Sequence, residues 1–243
     1  MIYTRPFITK RFIAYSGDSR RADVALAVQI VDSFTHVSPL ARLGITLKEL
    51  PLIRPLRGES GFYCFEGTET VTIDSNVVVR TPIPNGNYTL VVEPDPTSGN
   101  FYNLQPKQVG DPWTDTFERP VVLPMPNPLV PLEVITFSPT PAYPFPANAT
   151  LVRGKVIKNG ADVSVAQVST TYNEVDPNDS TLTVPVHVET MTDRAGEFVL
   201  FFKSLPQKTQ PVLITATKGA DQDQIARVIT EGTTLKNQVL DLT

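Results

Sequence analysis

The chain has 243 residues, of which 41% are hydrophobic, enough for a packed core and for one large domain or two of about 100 residues each. The formal net charge of −4 argues against a nucleic-acid-binding protein, which usually carries a basic stripe. No run of residues approaches the roughly 18 consecutive apolar positions of a membrane span. The 23 prolines outnumber the 13 glycines, which favours strands, turns and extended connectors over helices.

Cysteine usage and the first residues bear on the cellular compartment. Cys64 is the only cysteine in the sequence, so an intrachain disulfide is impossible, as in a reducing compartment or in an extracellular protein without disulfides. Residues 1–15 mix charged and apolar side chains and lack the continuous apolar segment of a signal peptide. We therefore expect cytoplasmic synthesis, which is compatible with later release or with assembly into an exported particle.

Residues 1–21 are predicted to form a basic-aromatic arm. Its lysine and arginine residues are opposed only by Asp18, and its apolar residues follow no clean period. Two interpretations remain open: an extended lead-in that packs on the first domain, or an arm that orders against a neighbouring subunit. The candidate arm contacts are Arg5, Phe7, Lys10, Arg11 and Phe12.

Residues 22–125 are predicted to form a first β-sandwich module. Its apolar runs are rich in β-branched residues, and Asn85-Gly86 is a tight-turn dipeptide. Later segments contain proline, which is tolerated only at sheet edges or bulges, so we expect edge strands there. The predicted strands are 23–31, 41–47, 71–80, 88–93, 101–106 and 119–125.

Residues 126–148 are predicted to form a proline-rich connector between two modules. Seven prolines within this segment exclude a helix and favour an extended, semi-rigid chain. Apolar residues between the prolines indicate that part of the segment lies on protein. Binding by a proline-recognising domain is the alternative, but the Pro-x-x-Pro sequences lack flanking basic residues, which favours an interdomain strut.

Residues 149–243 are predicted to form a second, clearer β-sandwich module. Short alternating runs recur at regular spacing with turn residues between them, which is typical of a sandwich. Together the segments predict an all-β fold of two immunoglobulin-like or prealbumin-like sandwich modules in tandem. The predicted strands of the second module are 151–157, 161–170, 183–189, 197–202, 210–219, 225–229 and 238–242.

The segment Thr192–Phe202 combines a turn with a strand. Asp193 can accept a hydrogen bond from the backbone two residues on, and Gly196 supplies a positive φ without steric cost. Phe198 then begins the inward face of an alternating strand. Asp193, Gly196 and Phe198 are therefore the predicted fold-defining residues.

This turn resembles the Thr-Asp-x-x-Gly-x-Phe turn of carboxypeptidase-regulatory-like (prealbumin-like) domains, which include B-type repeats of bacterial surface proteins. The resemblance extends over 150–242 through Val152–Val156 and Val212–Thr217, although Asn159-Gly160 replaces the family's usual proline-rich turn. The first module is similar more weakly, through Gly61-Phe62 and the residues after Gly86. The resemblance implies a module that packs, spaces or binds rather than catalyses.

Some members of the resembled family crosslink a lysine of the first strand to an Asn or Asp of the last strand, with help from a buried acid. Lys155, Asn237 and Glu189 occupy comparable strands here. Alternation places Lys155 on the face opposite Val152, Gly154 and Val156, and a buried Lys–Glu pair is costly. We therefore do not expect the crosslink.

The sequence offers no clustered catalytic, metal or cofactor site. The two histidines are His36, in a loop, and His187, in a strand with the polar alternation of a solvent-facing position; neither accompanies a nucleophile motif. Cys64 between two aromatic residues indicates a buried, inert thiol. Aspartates at 176, 179, 221 and 223 lack the spacing of a calcium loop.

We therefore expect a non-enzymatic structural or adaptor subunit without metal or cofactor. Its arm, connector and sheet edges would dock onto copies of itself or onto other proteins. By analogy of architecture, such a subunit fits a phage tail or a contractile-injection baseplate. The alternative is a carbohydrate- or surface-binding module that stacks sugar faces on Tyr102, Trp113 and Tyr172.

Overall fold

A computed structural model describes residues 10–15, 18–58, 62–73, 76–80, 83–94, 101–104, 116–123 and 132–243. Over these ranges the chain is all-β, which confirms the predicted fold class, and none of them contains a helix that could span a membrane. The chain divides into two units. The first comprises the described residues of Met1–Ser98 and Thr116–Phe137, and the second those of Gly99–Asp115 and Ser138–Thr243.

Eighteen strands lie within the described ranges. In chain order they are β1 (Lys10–Tyr15), β2 (Asp18–Asp32), β3 (Leu43–Leu47), β4 (Leu56–Arg57), β5 (Phe62–Ile73), β6 (Asn76–Arg80), β7 (Gly86–Pro94), β8 (Tyr102–Asn103), β9 (Phe117–Leu123), β10 (Leu132–Pro139), β11 (Thr150–Lys158), β12 (Ala161–Asp162), β13 (Gln167–Val175), β14 (Thr183–Met191), β15 (Glu197–Phe202), β16 (Thr209–Lys218), β17 (Asp221–Thr230) and β18 (Thr234–Asp241).

The first unit is built around the long strand β2. β2 pairs antiparallel with β1 and β5, and parallel with the first six residues of β10. A second, three-stranded sheet has the order β3-β7-β9. The rings of Phe117 and Phe137, one from each sheet, meet edge to face with centroids 5.4 Å apart. Both sheets contribute fully buried side chains, among them Leu26, Val28, Phe65, Leu47, Leu90 and Val92.

Two segments differ from the boundaries expected from the sequence. Residues 10–15 and 18–23, which span the end of the predicted arm, form an antiparallel hairpin from Lys10↔Asp23 to Tyr15↔Asp18. Within the predicted connector, β10 pairs parallel with β2 from Leu132↔Ala27 to Phe137↔Asp32. The prolines did not prevent this strand because, among the described residues, they lie at its end and beyond it, which proline tolerates.

The second unit is a sandwich of two four-stranded sheets. The first sheet has the order β12-β11-β15, with β18 on the other side of β11, and the second has the order β14-β13-β16-β17. The short strand β8 pairs with Ser138 and Pro139 of β10. Both sheets contribute to one buried cluster: Val152, Val156, Phe198, Leu200, Phe202 and Leu240 from the first, and Val168, Tyr172, Val212, Ile214, Ala216 and Ile229 from the second.

Glycine at 154 permits the first and last strands of this unit to pair. β11 and β18 run parallel, and their register shifts between Val152 and Gly154. A Cβ atom at Gly154 would lie 2.3 Å from the carbonyl oxygen of Gln238 and 2.7 Å from two ring carbons of Phe198. The close approach of two backbones therefore requires a residue without a side chain at this position.

The Thr192–Phe202 segment forms the predicted turn and strand. The carboxylate oxygen Oδ1 of Asp193 accepts the N–H groups of Ala195 and Glu197, each at 2.9 Å. Gly196 has φ +71°, and a Cβ atom there would lie 2.7 Å from the carbonyl oxygen of Val156. Phe198 is fully buried. The fold-defining roles inferred for Asp193, Gly196 and Phe198 agree with this geometry.

Thr192 holds the turn that precedes β13. Its buried hydroxyl donates to the carbonyl oxygen of Val163 at 2.7 Å and accepts the N–H of Ala166 at 2.9 Å. Its backbone N–H donates to the carbonyl oxygen of Ala166, and its own carbonyl accepts the N–H of Val165. Val165 has φ +55°, which is unfavourable for a β-branched residue. The four hydrogen bonds of Thr192 help to maintain this strained conformation.

Replacing Gly154 with Ala should destabilise the second unit by about 3 kcal/mol, because the methyl group clashes with backbone and a buried ring that have little room to move. The matched control is Gly160→Ala, whose added methyl meets no atom within 4 Å, so that only the cost of its φ of +77° applies, about 1 kcal/mol. Denaturant unfolding of both variants measures the difference. Equal losses would contradict the close-packing argument.

Replacing Thr192 with Val should cost roughly 2 kcal/mol or more, because the buried N–H of Ala166 and carbonyl of Val163 each lose a partner. Thr192→Ser keeps the hydroxyl and should lose only about 1 kcal/mol for the missing methyl group. Chemical denaturation compares the two variants with the parent chain. If Ser is as damaging as Val, shape rather than hydrogen bonding explains the conservative fit of threonine.

Candidate interaction surface

The outward face of the sheet β14-β13-β16-β17 is the candidate functional surface. Alternation along β16 directs Val212, Ile214 and Ala216 into the core, which leaves Pro211 and Leu213 pointing outward. The β16–β17 register places Leu213 opposite Ala226 and Pro211 opposite Val228. The remaining outward positions are mostly polar and uncharged: Gln167, Ser169, Thr171, Asn173, Thr183, Thr215, Thr217, Gln222, Gln224 and Thr230.

The apolar centre of this face is exposed and concave. Leu213 is 51% exposed and Val228 is 58% exposed. An open groove of about 550 Å³ is lined by Thr171, Pro211, Val212, Leu213, Ala226, Arg227 and Val228. A contiguous exposed apolar patch rimmed by polar residues is typical of a protein-interaction site.

Charge is sparse on the outward face. Arg227 borders the groove, but its guanidinium donates to Gln238 Oε1 and to the carbonyl oxygen of Ala226. His187 lies on the outward face of the edge strand β14 and is mostly exposed, with Nε2 3.9 Å from Glu189 Oε2. Glu189 also accepts a hydrogen bond from Gln167 Nε2 at 2.8 Å. With histidine neutral, Glu189 carries the formal charge of this face among the described residues.

The residues predicted to stack on sugars do not form a surface. Tyr102 and Tyr172 are each 2% exposed, so neither ring presents a face to solvent, and Trp113 lies outside the described residues. Tyr102 packs edge to face on Tyr143, and Tyr172 packs edge to face on Phe202. Both tyrosines were placed in loops by the sequence, whereas both lie in strands with inward-facing side chains.

The other predicted contact residues fall in the first hairpin or beyond the described ranges. Arg5 and Phe7 lie outside the described residues. The backbones of Lys10, Arg11 and Phe12 lie in β1, opposite Asp23, Ala22 and Arg21 of β2.

The lysine and acid of the resembled crosslink are engaged elsewhere. Lys155 Nζ forms an ion pair with Asp162 Oδ1 at 2.8 Å, and both side chains are partly exposed. Asn237 is exposed in a left-handed turn with φ +59°, and Glu189 accepts from Gln167. These three side chains do not form a buried reaction site.

The remaining reactive side chains do not cluster either. Among the described residues, no group of three or more His, Cys, Asp or Glu side chains is placed to hold a metal ion. Partial burial raises the pKa of the Cys64 thiol, which keeps it protonated and unreactive at neutral pH. His36 sits in a turn with φ +59°, where its N–H donates to the carbonyl oxygen of Asp32.

Two features were missed by reading the sequence. The first is the apolar groove, although the strict alternation of Pro211 and Leu213 with buried neighbours was a signal of an exposed apolar row. The second is a set of packed rings in which Phe145 meets Tyr143 with centroids 4.7 Å apart and Arg153 lies 5.5 Å from the Phe145 centroid. The sequence places Tyr143 and Phe145 among prolines, where no period reveals their packing.

No family model matches the chain, and no curated protein matches it. It is similar to three solved structures. The Bacillus anthracis TIE protein is 13% identical over 90% of this chain and 34% of that chain, with a TM-score of 0.25. The Streptococcal ancillary pilin is 15% identical over 95% and 64%, with a TM-score of 0.25. The shaft pilin SpaA from Lactobacillus rhamnosus GG is 6% identical over 90% and 98%, with a TM-score of 0.27.

This chain spans about a third of the length of the first of these proteins and less than two thirds of the second. At TM-scores of 0.27 and below, the likenesses carry no argument about the function of this chain. The resemblance to carboxypeptidase-regulatory-like domains stays a prediction, and the all-β assignment stands on the chain's own strands.

Tyr172 combines burial with two hydrogen bonds. Its hydroxyl donates to Glu174 Oε2 at 2.8 Å and accepts the N–H of Lys203 at 3.0 Å. Burial raises the pKa of this hydroxyl well above its ordinary value, and the neighbouring Glu174 carboxylate adds to the rise. The folded state therefore keeps Tyr172 neutral at pH values where an unfolded chain ionises it.

Replacing Tyr172 with Phe should cost about 1–3 kcal/mol at pH 7, because the Lys203 N–H and the Glu174 carboxylate lose their partner. Because the folded pKa is raised, the stability that it contributes is complete below the unfolded value of about 10 and is lost as the pH rises toward the folded value. The parent chain should therefore lose up to about 1.4 kcal/mol per pH unit relative to Tyr172→Phe above pH 10. Parallel stability profiles from pH 7 to 11 would contradict this.

Proposed function

We propose that this protein is a non-enzymatic structural or adaptor subunit that docks onto other protein subunits through the outward face of its second-unit sandwich. The observation that carries the proposal is the open apolar centre of that face, where Pro211, Leu213, Ala226 and Val228 lie side by side. Burying Leu213 and Val228 on a partner would release apolar surface from water at about 25 cal/mol per Å². This free energy favours association.

The polar groups of the second unit support this interpretation. The Thr192 hydroxyl, the Asp193 carboxylate and the Tyr172 hydroxyl all satisfy buried or turn backbone groups. They therefore maintain the fold instead of facing a substrate. Such a rigid sandwich presents a preformed surface, which reduces the entropy cost of docking.

We also propose, more narrowly, a place in a large particle. The tandem arrangement of β-rich units fits a component of a phage tail or a contractile-injection baseplate by analogy of architecture alone. A carboxypeptidase-regulatory-like origin for the second unit agrees with the Asp193 turn and with the parallel pairing of its first and last strands, but the narrower proposal does not depend on it.

A tagged copy purified gently from its native source should elute in a large assembly at fixed stoichiometry, with neighbours that mass spectrometry identifies. A copy with Val228→Asp should lose those neighbours, because a carboxylate replaces an exposed apolar contact without altering the core. The matched control is Val239→Asp, another exposed valine on an edge strand of the same unit. Recovery of the parent chain as a lone monomer of 26.7 kDa would contradict the proposal.

A further inference from the structure

An exposed leucine stands out in the first unit. The turn Pro51–Arg57, called here the Leu52 turn, places Leu52 at 93% exposure, the largest among the exposed hydrophobic residues of the described chain. Leu56 is also exposed. Pro51 and Pro55 restrict the backbone on either side of Leu52, which lowers the entropy lost if the turn is immobilised.

The base of the Leu52 turn is held firmly. The N–H of Leu50 donates to Leu47 and the N–H of Ile53 donates to Leu50, each at 3.0 Å. Lys48 forms an ion pair with Glu118 at 3.0 Å. The N–H of Thr89 donates to the Glu49 carboxylate at 2.8 Å, and this hydrogen bond lowers the pKa of Glu49. Leu52 is therefore presented by a braced turn at the end of β3, where a contact costs little ordering.

The charges of the Leu52 turn are complementary to those of the apolar groove. Arg54 and Arg57 are both exposed, and no carboxylate occurs between residues 50 and 58. The outward face that bears the groove carries Glu189 as its formal charge, while Lys208 and Glu231 at its end offset each other. A basic apolar knob and a weakly acidic apolar groove thus occur on the same polypeptide.

The sizes also agree. A leucine side chain has a volume on the order of 100 Å³, so a groove of about 550 Å³ admits Leu52 together with a flanking residue. The groove is open and Leu52 is exposed in the same chain, so the turn does not fill its own groove. The occupant that fits both observations is the turn of another molecule.

We propose that the Leu52 turn of one copy seats in the groove formed by Pro211, Leu213, Ala226 and Val228 of a second copy. This inference rests on the proposed docking role of that groove and names its partner. Because two different patches meet, the contact is heterologous and each bound copy still offers one free turn and one free groove. A contact of this size buries less than about 1,000 Å², so the association should be weak and strongly concentration-dependent.

Analytical ultracentrifugation of the purified full chain tests the proposal over a wide concentration range. The parent chain should show a mass that rises with concentration beyond the dimer. Leu52→Asp and Val228→Asp should each lower the association constant by at least about tenfold. The matched controls are Val122→Asp in the first unit and Val239→Asp in the second, both at exposed valines away from the turn and the groove.

Mixing the two disabling variants gives the most specific result. Leu52→Asp retains a groove and Val228→Asp retains a turn, so an equimolar mixture should form a one-to-one dimer that does not grow further. A mixture that stays monomeric, or a single variant that associates like the parent chain, would overturn the proposal. Circular dichroism of each variant confirms that folding is retained.

Two further outcomes separate this inference from its foundation. If the parent chain stays monomeric alone but is recovered from its source in an assembly that Val228→Asp disrupts, the groove binds a different protein and only the inference fails. If neither assembly forms, both proposals fail. Flotation with vesicles of anionic phospholipid that depends on Leu52 but not on Val228 would overturn the second-copy contact in favour of a lipid surface.

Discussion

The hydroxyl group of Thr192 joins the two places where the chain of the second unit crosses between its sheets. One crossing runs from β12 to β13 through Val163 and Ala166, and the other runs from β14 to β15 through Thr192 itself. Because Thr192 is fully buried, an unpaired hydroxyl or backbone group there would lose its hydration without compensation. Four hydrogen bonds satisfy these groups and fix both crossings against each other.

The position of the candidate surface depends on these crossings. β13 and β14 pair over nine consecutive residues, from Gln167↔Met191 to Val175↔Thr183, directly between the two turns that Thr192 connects. A shift of one residue would direct Thr171 and His187 inward and Tyr172 outward. The register therefore decides that a polar row, and not the buried tyrosine, borders the apolar groove. The close approach at Gly154 fixes the opposite sheet in the same way.

Local signals in the sequence were sufficient for the second unit and insufficient for long-range pairing. The turn at Asp193 and Gly196 was predictable because each residue's role is set within five positions of the chain. The parallel pairing of β10 with β2 was not, because its partners are about a hundred residues apart and prolines suggested a connector. Loop positions were inferred for Tyr102 and Tyr172, although the strand neighbours that bury them cannot be identified from the sequence.

The composition of the outward face argues that its apolar centre has a purpose beyond forming strands. Thr215 and Gln224 face each other one row from Leu213 and Ala226, and Thr209 and Thr230 face each other one row from Pro211 and Val228. Threonine therefore occupies the same pleated environment without loss of the sheet, and it is as suited to strands as valine. Strand propensity alone does not require Leu213 or Val228 to be apolar. An aqueous environment favours the threonines, so the side-by-side apolar residues are best explained by a contact that removes them from water.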